Sequence, residues 1–358
     1  LVEHVSLGES IKLRRQVLRI SLRGLAEQIG VSHTTVDKYE KNKLVPDSQV
    51  LIKLSKILRI PVSSLLRPEN QQIQLSHMAF RSTKMLKREE KQINAETKEW
   101  LERYLQIESL AGRPRVFGMP AGFPRNISSF EEAEEAARDL RAAWDLGTDP
   151  IENLTYLLED KGIKIGIIGG ITKFDALFTE YAGHRVIVVK EDLPQARQRF
   201  SLAHELGHCL LEVEGDLKEE NAMHRFAGEF LVPREKALFE LDETRHKFSI
   251  KELLILKEKY GFSMGAWLHR ALDTGIISSE DYLAIRKFFV KKGWHRKEPD
   301  DDIAKREKPA LMEAMVLRAH AEGIISTSKA AELLNQSIST FCSVDGESDI
   351  ECSAILCT

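Results

Sequence analysis

The chain has 358 residues, 42% apolar and 30% charged, which excludes wholesale disorder and leaves room for two or three domains with their own cores. No apolar run reaches membrane-span length and the first residues hold no signal-peptide core, so neither a membrane nor an exported protein is expected. The overall charge of −3 averages opposite regions: residues 1–67 carry 12 Lys/Arg against 6 Asp/Glu, and residues 128–160 carry 2 against 10, so contact with phosphate is expected of the first region alone.

Leu7, Ile11 and Leu18 space a first amphipathic helix. Ser21 can cap a second over Leu22 to Ile29, which Gly30 can end in a left-handed turn, and Ser32 can cap a third running through Tyr39. Ala26, Gly30 and Val36 supply the small residue, the turn glycine and the β-branched plug that a tight helix pair needs. Pro46 and Ser48 open a fourth helix packed through Leu51, Leu54 and Leu58, and VSSLL at 62–66 reads as a fifth.

From SIKLRRQVLRISLRGLAEQIGVSHTTVDKYEKNKLVPD to that fifth helix, the pattern resembles the XRE (Cro/C1-type) DNA-binding domain over 1–67. The resemblance implies that the helix from His33 enters the major groove, with Ser32, His33, Thr34, Thr35 and Lys38 facing bases or nearby phosphates. Arg23, Lys41 and Lys43 are expected on phosphate, which supplies position and affinity. Lys41 stands at a turn position where the family usually has Gly. The competing reading is a helical module used only for protein contacts.

Residues 68–127 read as a connector. KMLKREEKQINAETKEWLERYLQIESLAG predicts one charged helix packing a stripe of Leu86, Ile93, Trp100, Leu101, Tyr104 and Leu105, with no sustained heptad. The Gly/Pro alternation from Gly112 to Pro124 predicts a loop at the next boundary.

Ser129 with Glu132 predicts a capping box ahead of EEAEEAARDLRAAWDLG, and a second helix over Ile151 to Asp160 stops at Gly162. Short β-type runs at 163–168, 175–182 and 185–189 predict a small twisted sheet, one edge of which could receive a peptide backbone by β-augmentation. Next comes RFSLAHELGHCLLEVEGDLKEENAMHRFAGEFLVP at 199–233. Its helix is expected from Pro194 to about Glu214, and a second helix over Leu217 to Leu231. His204, Glu205 and His208 spell H-E-x-x-H. Residues four apart share a helix face, so both imidazoles can reach one metal ion, and Glu205 beside them can act on water as general base. A catalytic zinc needs a third protein ligand. Glu220 is the first choice, with Glu219 and Asp216 as rivals.

RFSLAHELGH and ENAMHRFAGEFLVP resemble the ImmA/IrrE family of zinc metallopeptidases across roughly 128–290. The resemblance implies that His204, His208 and Glu220 hold Zn²⁺, that Glu205 activates water, and that His224, in a slot more often Asn, orients a ligand from behind. Cys209 is expected to be a buried apolar thiol, and His184 and Tyr181 to be structural.

Beyond residue 240, helices are expected over Ser249 to Tyr260, Ser263 to Thr274, Ser279 to Lys292, Pro309 to Ala321 and Ser326 to Leu334, with Trp294 and EPDDD at 298–302 as a connector. EGIIS with SKAAELL loosely resembles a second helix-turn-helix, but without a basic face a packing or partner role is preferred. Cys342, Cys352 and Cys357 fit no compact zinc knuckle, so 341–358 reads as a frayed tail. With Cys209 they are too few and too bunched for a disulfide framework, which points to a reducing cytoplasm.

The expected fold is α+β and predominantly helical. It comprises a five-helix DNA-binding domain (1–67), a linker (68–127), a zincin-like peptidase domain with a small sheet (128–292) and a helical C-terminal region with a flexible tail (293–358). The expected function is a DNA-binding regulator whose zinc peptidase cleaves a protein, by family resemblance a repressor in stress response or mobile-element control. Its partners would be double-stranded operator DNA, the protein substrate and a second copy in a homodimer, with no membrane. The alternatives are a non-proteolytic transcription factor or antitoxin whose zinc domain only senses or binds, self-cleavage within 68–125, and a peptidase whose helix-turn-helix docks only proteins.

Overall fold

The structure is a computed structural model; its described residues are 7–18, 20–58, 87–112, 114–170, 174–181, 183–301 and 306–345. They form many helices and two small sheets, an α+β architecture that is mostly helical. They fall into two compact units, one made of the residues before 75 with those from 327 onward, the other of the residues between. The expected fifth helix at 62–66, Leu86, Cys352 and Cys357 lie outside the described residues.

The first unit opens with α1 (Leu7–Val17), α2 (Leu22–Ile29), α3 (His33–Glu40) and α4 (Ser48–Leu58). Ile11, Leu25, Ile29, Val36, Leu54 and Leu58 are fully or almost fully buried between them. Ser21 and Ser32 cap α2 and α3, and Gly30 closes α2 with φ +78°, as the sequence predicts. Arg15 reaches from α1 to the buried carboxylate of Glu40 in a bidentate contact through Nε and Nη2, and its Nη1 donates to Ile20 O at 2.9 Å, locking α1 to the end of α3. Lys41 takes an ordinary backbone conformation (φ −95°). The left-handed residue after α3 is Asn42, φ +54°, a type that tolerates this region, so the missing glycine costs little.

In the second unit, α5 (Lys87–Ala111) buries Ile93, Leu101, Tyr104 and Ile107. Of the expected stripe Ile93, Leu101 and Tyr104 are buried and Trp100 and Leu105 half-buried, while Ile107 is not among the residues expected; the helix also carries a buried ion pair, Glu108 with Lys164 at 2.7 Å. The chain continues through β1 (Arg125–Ile127), α6 (Phe130–Ala143), α7 (Leu154–Asp160), β2 (Lys164–Ile168), β3 (Ala176–Tyr181), β4 (His184–Lys190), α8 (Gln195–Leu210) and β5 (Leu211–Val213). The main sheet has the order β2-β4-β3, β2 parallel and β3 antiparallel to the central β4, so among the described residues β3 has a strand on one side only. Ser129 caps α6 as expected, but Glu132 returns to the N–H and hydroxyl of Ser128, so the capping box closes one residue early. The sequence also predicts α8 running to about Glu214. It stops at Leu210, because Leu211 to Val213 pair in parallel with β1, a two-stranded sheet that three-residue runs do not announce.

Next come α9 (Glu219–Leu231), α10 (Arg234–Leu241), α11 (Ile250–Tyr260), α12 (Met264–Asp273), α13 (Ser279–Lys291) and α14 (Leu311–Ala321). Ser249 and Ser263 begin α11 and α12 as expected, while α13 is capped by Ser278, one residue early. The acidic connector is structural. Glu298 accepts from the N–H groups of Met264 and Gly265 at the start of α12, and Asp301 pairs with Lys257 at 2.5 Å. Glu307, 5% exposed, pairs with buried Arg199 of α8 and accepts the Thr155 N–H at 2.8 Å. The C-terminal segment thus pins the start of the H-E-x-x-H helix.

The first unit is completed by α15 (Thr327–Leu333) and α16 (Ile338–Asp345). Residues 331–341, AELLNQSISTF, repeat the pattern of residues 26–36, AEQIGVSHTTV. Asn335 is left-handed (φ +55°) where Gly30 is; Gln336 N–H reaches Ala331 O at 2.9 Å as Val31 N–H reaches Ala26 O at 3.0 Å. Ser337 accepts the Thr340 N–H at 3.1 Å as Ser32 accepts that of Thr35 at 3.0 Å, and Phe341 is buried like Val36. The likeness to a helix-turn-helix is closer than the sequence reading allows, yet ISTFCSVD carries no Lys or Arg. Cys342 is disulfide-bonded, which the sequence reading does not foresee.

Removing one partner of a buried ion pair strands the other charge. Glu307→Ala is expected to destabilise the second unit by about 3–5 kcal/mol, read from urea unfolding followed by tryptophan emission.

Candidate metal centre

The helix α8 is buried on two sides, by β3 and β4 and by α9, which is why Leu202, Ala203, Leu206 and Cys209 sit around it almost without exposure. Its close partner is α9, and the contact turns on Gly207. A Cβ there would stand 2.8 Å from Met223 Sδ and 3.1 Å from Phe226 Cδ1, inside normal contact. The glycine of H-E-L-G-H therefore sets how near the start of α9 can come to the histidines.

What comes near is Glu220. Its Oε2 is 3.3 Å from His204 Nε2 and its Oε1 3.7 Å from His208 Nε2, and the two Nε2 atoms are 3.2 Å apart. Ligands held tetrahedrally at roughly 2.0–2.1 Å from zinc are about 3.3 Å from one another. Two imidazole nitrogens and a carboxylate, one oxygen near each, are a donor set that fits such an ion. Among the described residues these three are the group of potential ligands close enough to share one.

Both rivals for the third ligand have other places. Glu219 Oε1 lies 3.3 Å from His208 Nδ1, the ring atom away from the cluster. A carboxylate there holds the proton on Nδ1 and leaves the Nε2 lone pair for a metal. Asp216 is exposed and outside the cluster. His204 Nδ1 is buried without a hydrogen-bond partner, so nothing comparable orients that ring. His224 packs its ring 4.8 Å from that of His204 and 5.6 Å from Phe200. Burial, then the neighbouring His204, hold its pKa below the usual imidazole value.

Glu205 points to the sheet. Its Oε2 accepts the Phe178 N–H of β3 at 2.8 Å, so the expected base lies beside the strand with an open side. Cys209 is buried and its thiol pushed up to about 12 by desolvation, which leaves it a small apolar group at neutral pH. Tyr181 and His184 are cross-strand partners at the end of the β3–β4 hairpin, and burial, then the charge of Lys164, hold the His184 pKa below the usual imidazole value.

On the first unit, Arg23, His33, Thr34, Lys38, Lys41 and Lys43 are exposed and Thr35 is half-buried. Ser32 is engaged as cap and also bonds the Thr34 and Thr35 hydroxyls, and Lys41 pairs with Asp37 at 2.8 Å.

Sequence reasoning missed the residues that hold the centre in place. Arg199 with Glu307 is one group. Another is the buried cluster of Arg270 with Glu229 and Glu134, the last also taking Arg225 at 3.0 Å, which ties α6, α9 and α12 together. Glu229 lies inside FAGEFLVP, and only its apolar neighbourhood could have marked it as buried and paired.

A helix bearing H-E-x-x-H, with a carboxylate from the next helix brought to both imidazoles, has the form of a metallopeptidase-like domain. Residues 159–272 match the peptidase family described as the IrrE N-terminal-like domain, and residues 11–65 match the helix-turn-helix family. The chain thus joins an XRE-type helix-turn-helix to an IrrE-like domain of the metallopeptidase type. Repressor protein C2 of Salmonella phage P22 is 30% identical over 71 residues, 20% of this chain; the chain spans 33% of that relative's length. The structure of ComR from S. thermophilus in complex with DNA and its signalling peptide ComS aligns over 97% of both chains at 13% identity, but with a TM-score of 0.18, which carries no argument.

Gly207→Ala is expected to push the start of α9 away from α8 and to weaken zinc binding about tenfold or more, measured by chelator competition, with the fold intact by circular dichroism. Unchanged affinity would mean that the close approach does not set the donor geometry.

Proposed function

We propose that this chain is a DNA-binding regulator whose second unit is a zinc-dependent endopeptidase acting on a regulatory protein. The observation that carries the reading is the convergence of His204, His208 and Glu220 with Glu205 one residue from the first histidine. A zinc ion held there would supply Lewis acidity to the scissile carbonyl and to the attacking water. The protein's own groups do the rest. A stretch of extended substrate adds to the open side of β3, where backbone pairing fixes the peptide regardless of side chain. Glu205, placed at that side by the Phe178 N–H, takes the proton of the attacking water and passes it to the leaving amine. Glu219 keeps His208 in the tautomer that offers Nε2.

The first unit brings this activity to DNA. α3 presents His33, Thr34 and Lys38 for the major groove, while Arg23 and Lys43, with Lys41 once its exposed pair with Asp37 exchanges, meet phosphate. Binding beside a repressor at the same operator raises the effective concentration of the cleavable protein, and work on DNA places the chain in the cytoplasm. A homodimer reading paired half-sites suits this domain type.

The test uses metal analysis with proteolysis of repressors encoded by neighbouring genes. Glu205→Gln is expected to keep zinc and lose cleavage, and Glu220→Ala to lose both. Glu219→Ala is expected to bind zinc about 10–100-fold more weakly. Zinc-loaded wild type that cleaves none of them, with gene control unaltered in Glu205→Gln, would favour a sensing domain. For DNA, Arg23→Ala or Lys43→Ala should weaken binding on all sequences and reduce the slope of log affinity against log salt by roughly 1. Binding that ignores salt would count against the DNA reading.

A further inference from the structure

Beside His224 the second unit holds a cavity of about 670 Å³, within the range that small-molecule sites occupy. Phe130, Phe200, Phe262, Phe289 and Trp294 contribute aromatic wall, an unusual concentration for a chain with 25 aromatic residues among 358. One side is polar. There the Tyr282 hydroxyl lies 2.8 Å from His269 Nε2, and Arg286 Nη1 donates to both, at 3.2 Å and 3.3 Å.

The charges around this cavity do not balance. The acids that line it are committed: Asp273 to Arg225 at 3.1 Å, Asp301 to Lys257 at 2.5 Å, and Glu298 to Lys257 and to the N–H groups opening α12. Among the cations, Arg197 is held by Asp175 at 2.6 Å, Arg225 and Arg270 share Glu134, and the exposed Arg296 also lines the cavity, on the Trp294 side. Among the described residues Arg286 meets no carboxylate, and its Nε and Nη2 donors meet no acceptor. Burial and the adjacent guanidinium hold the pKa of His269 below the usual imidazole value, so this ring adds no charge and can accept the Arg286 N–H. A guanidinium with donors to spare, at the edge of an aromatic hollow, lacks only the partner it binds best: a planar or tetrahedral oxyanion in bidentate contact.

We propose that this cavity is a second ligand site, for a small molecule that carries an oxyanion on a flat apolar body. The apolar part lies among Phe200, Phe289 and Trp294, and the oxyanion meets the Nε and Nη2 donors of Arg286. Because the His224 ring forms part of the wall and packs on His204, an occupant sits one imidazole away from the metal donors. The site needs no peptidase activity, so it stands or falls apart from the proteolytic reading.

The test is isothermal titration of the zinc-loaded full chain with 3-phenylpropionate, phenyl phosphate and the neutral 3-phenylpropanamide. Both anions are expected to bind, roughly tenfold or more tighter than the amide, and whichever is tighter identifies the oxyanion as carboxylate or phosphate. Arg286→Met should remove that preference and leave the amide unchanged, and Trp294→Ala should weaken all three. Arg286 is exposed, so its replacement is expected to leave the melting temperature where it is. Failure of all three probes to bind overturns the proposal. So does equal affinity for acid and amide, which would make the cavity an apolar side-chain pocket, or an Arg286→Met chain that still prefers the anions.

Discussion

The arrangement of the second unit depends on how closely two helices can approach. α8 supplies two histidines on one face, but helix geometry alone cannot bring them a carboxylate. That comes from α9, and α9 lies near enough because position 207 has no side chain. Met223 and Phe226 fill the space a Cβ would take, so the apolar packing that holds the helices together is the same contact that sets the distance from Glu220 to His204 and His208. Packing and chemistry share one interface.

Around that interface the protein places buried charge. Arg199 with Glu307 anchors the start of α8, and Arg270 with Glu229 and Glu134 anchors the end of α9. Buried pairs of this kind are a weak source of net stability, because desolvation offsets most of their attraction, but they are strongly directional. They fit a role in fixing the angle of two helices whose apolar contact alone would tolerate sliding. The first unit uses the same device with Arg15 and Glu40, which set α1 against α3.

Much of this was legible in the sequence because it rests on local rules. The serine caps at 21, 32 and 129, the left-handed Gly30 and the i, i+4 histidines each need only a few neighbouring residues. The choice between Glu220 and Glu219 depends on more than local spacing. The two are a quarter-turn apart on α9, and only the entry angle of that helix decides which one meets the metal side and which meets His208 Nδ1. What stayed illegible depends on distant partners. β1 and β5 are three residues each and exist because they pair with one another, and Glu307 looks like surface until Arg199 is seen beside it. The repeat of residues 26–36 at 331–341 was half seen. Its spacing is in the sequence, but the left-handed Asn335 and the buried Phe341 had to be observed to show how far the likeness goes.

The central claim is that two imidazoles and one carboxylate, and no thiol, surround a single divalent ion. X-ray absorption at the zinc edge of the loaded full chain tests it directly. The account predicts a first shell of nitrogen and oxygen at about 2.0–2.1 Å with outer scattering from imidazole rings, diminished in His204→Ala. A sulfur shell near 2.3 Å, or a spectrum that His204→Ala leaves unchanged, would contradict it.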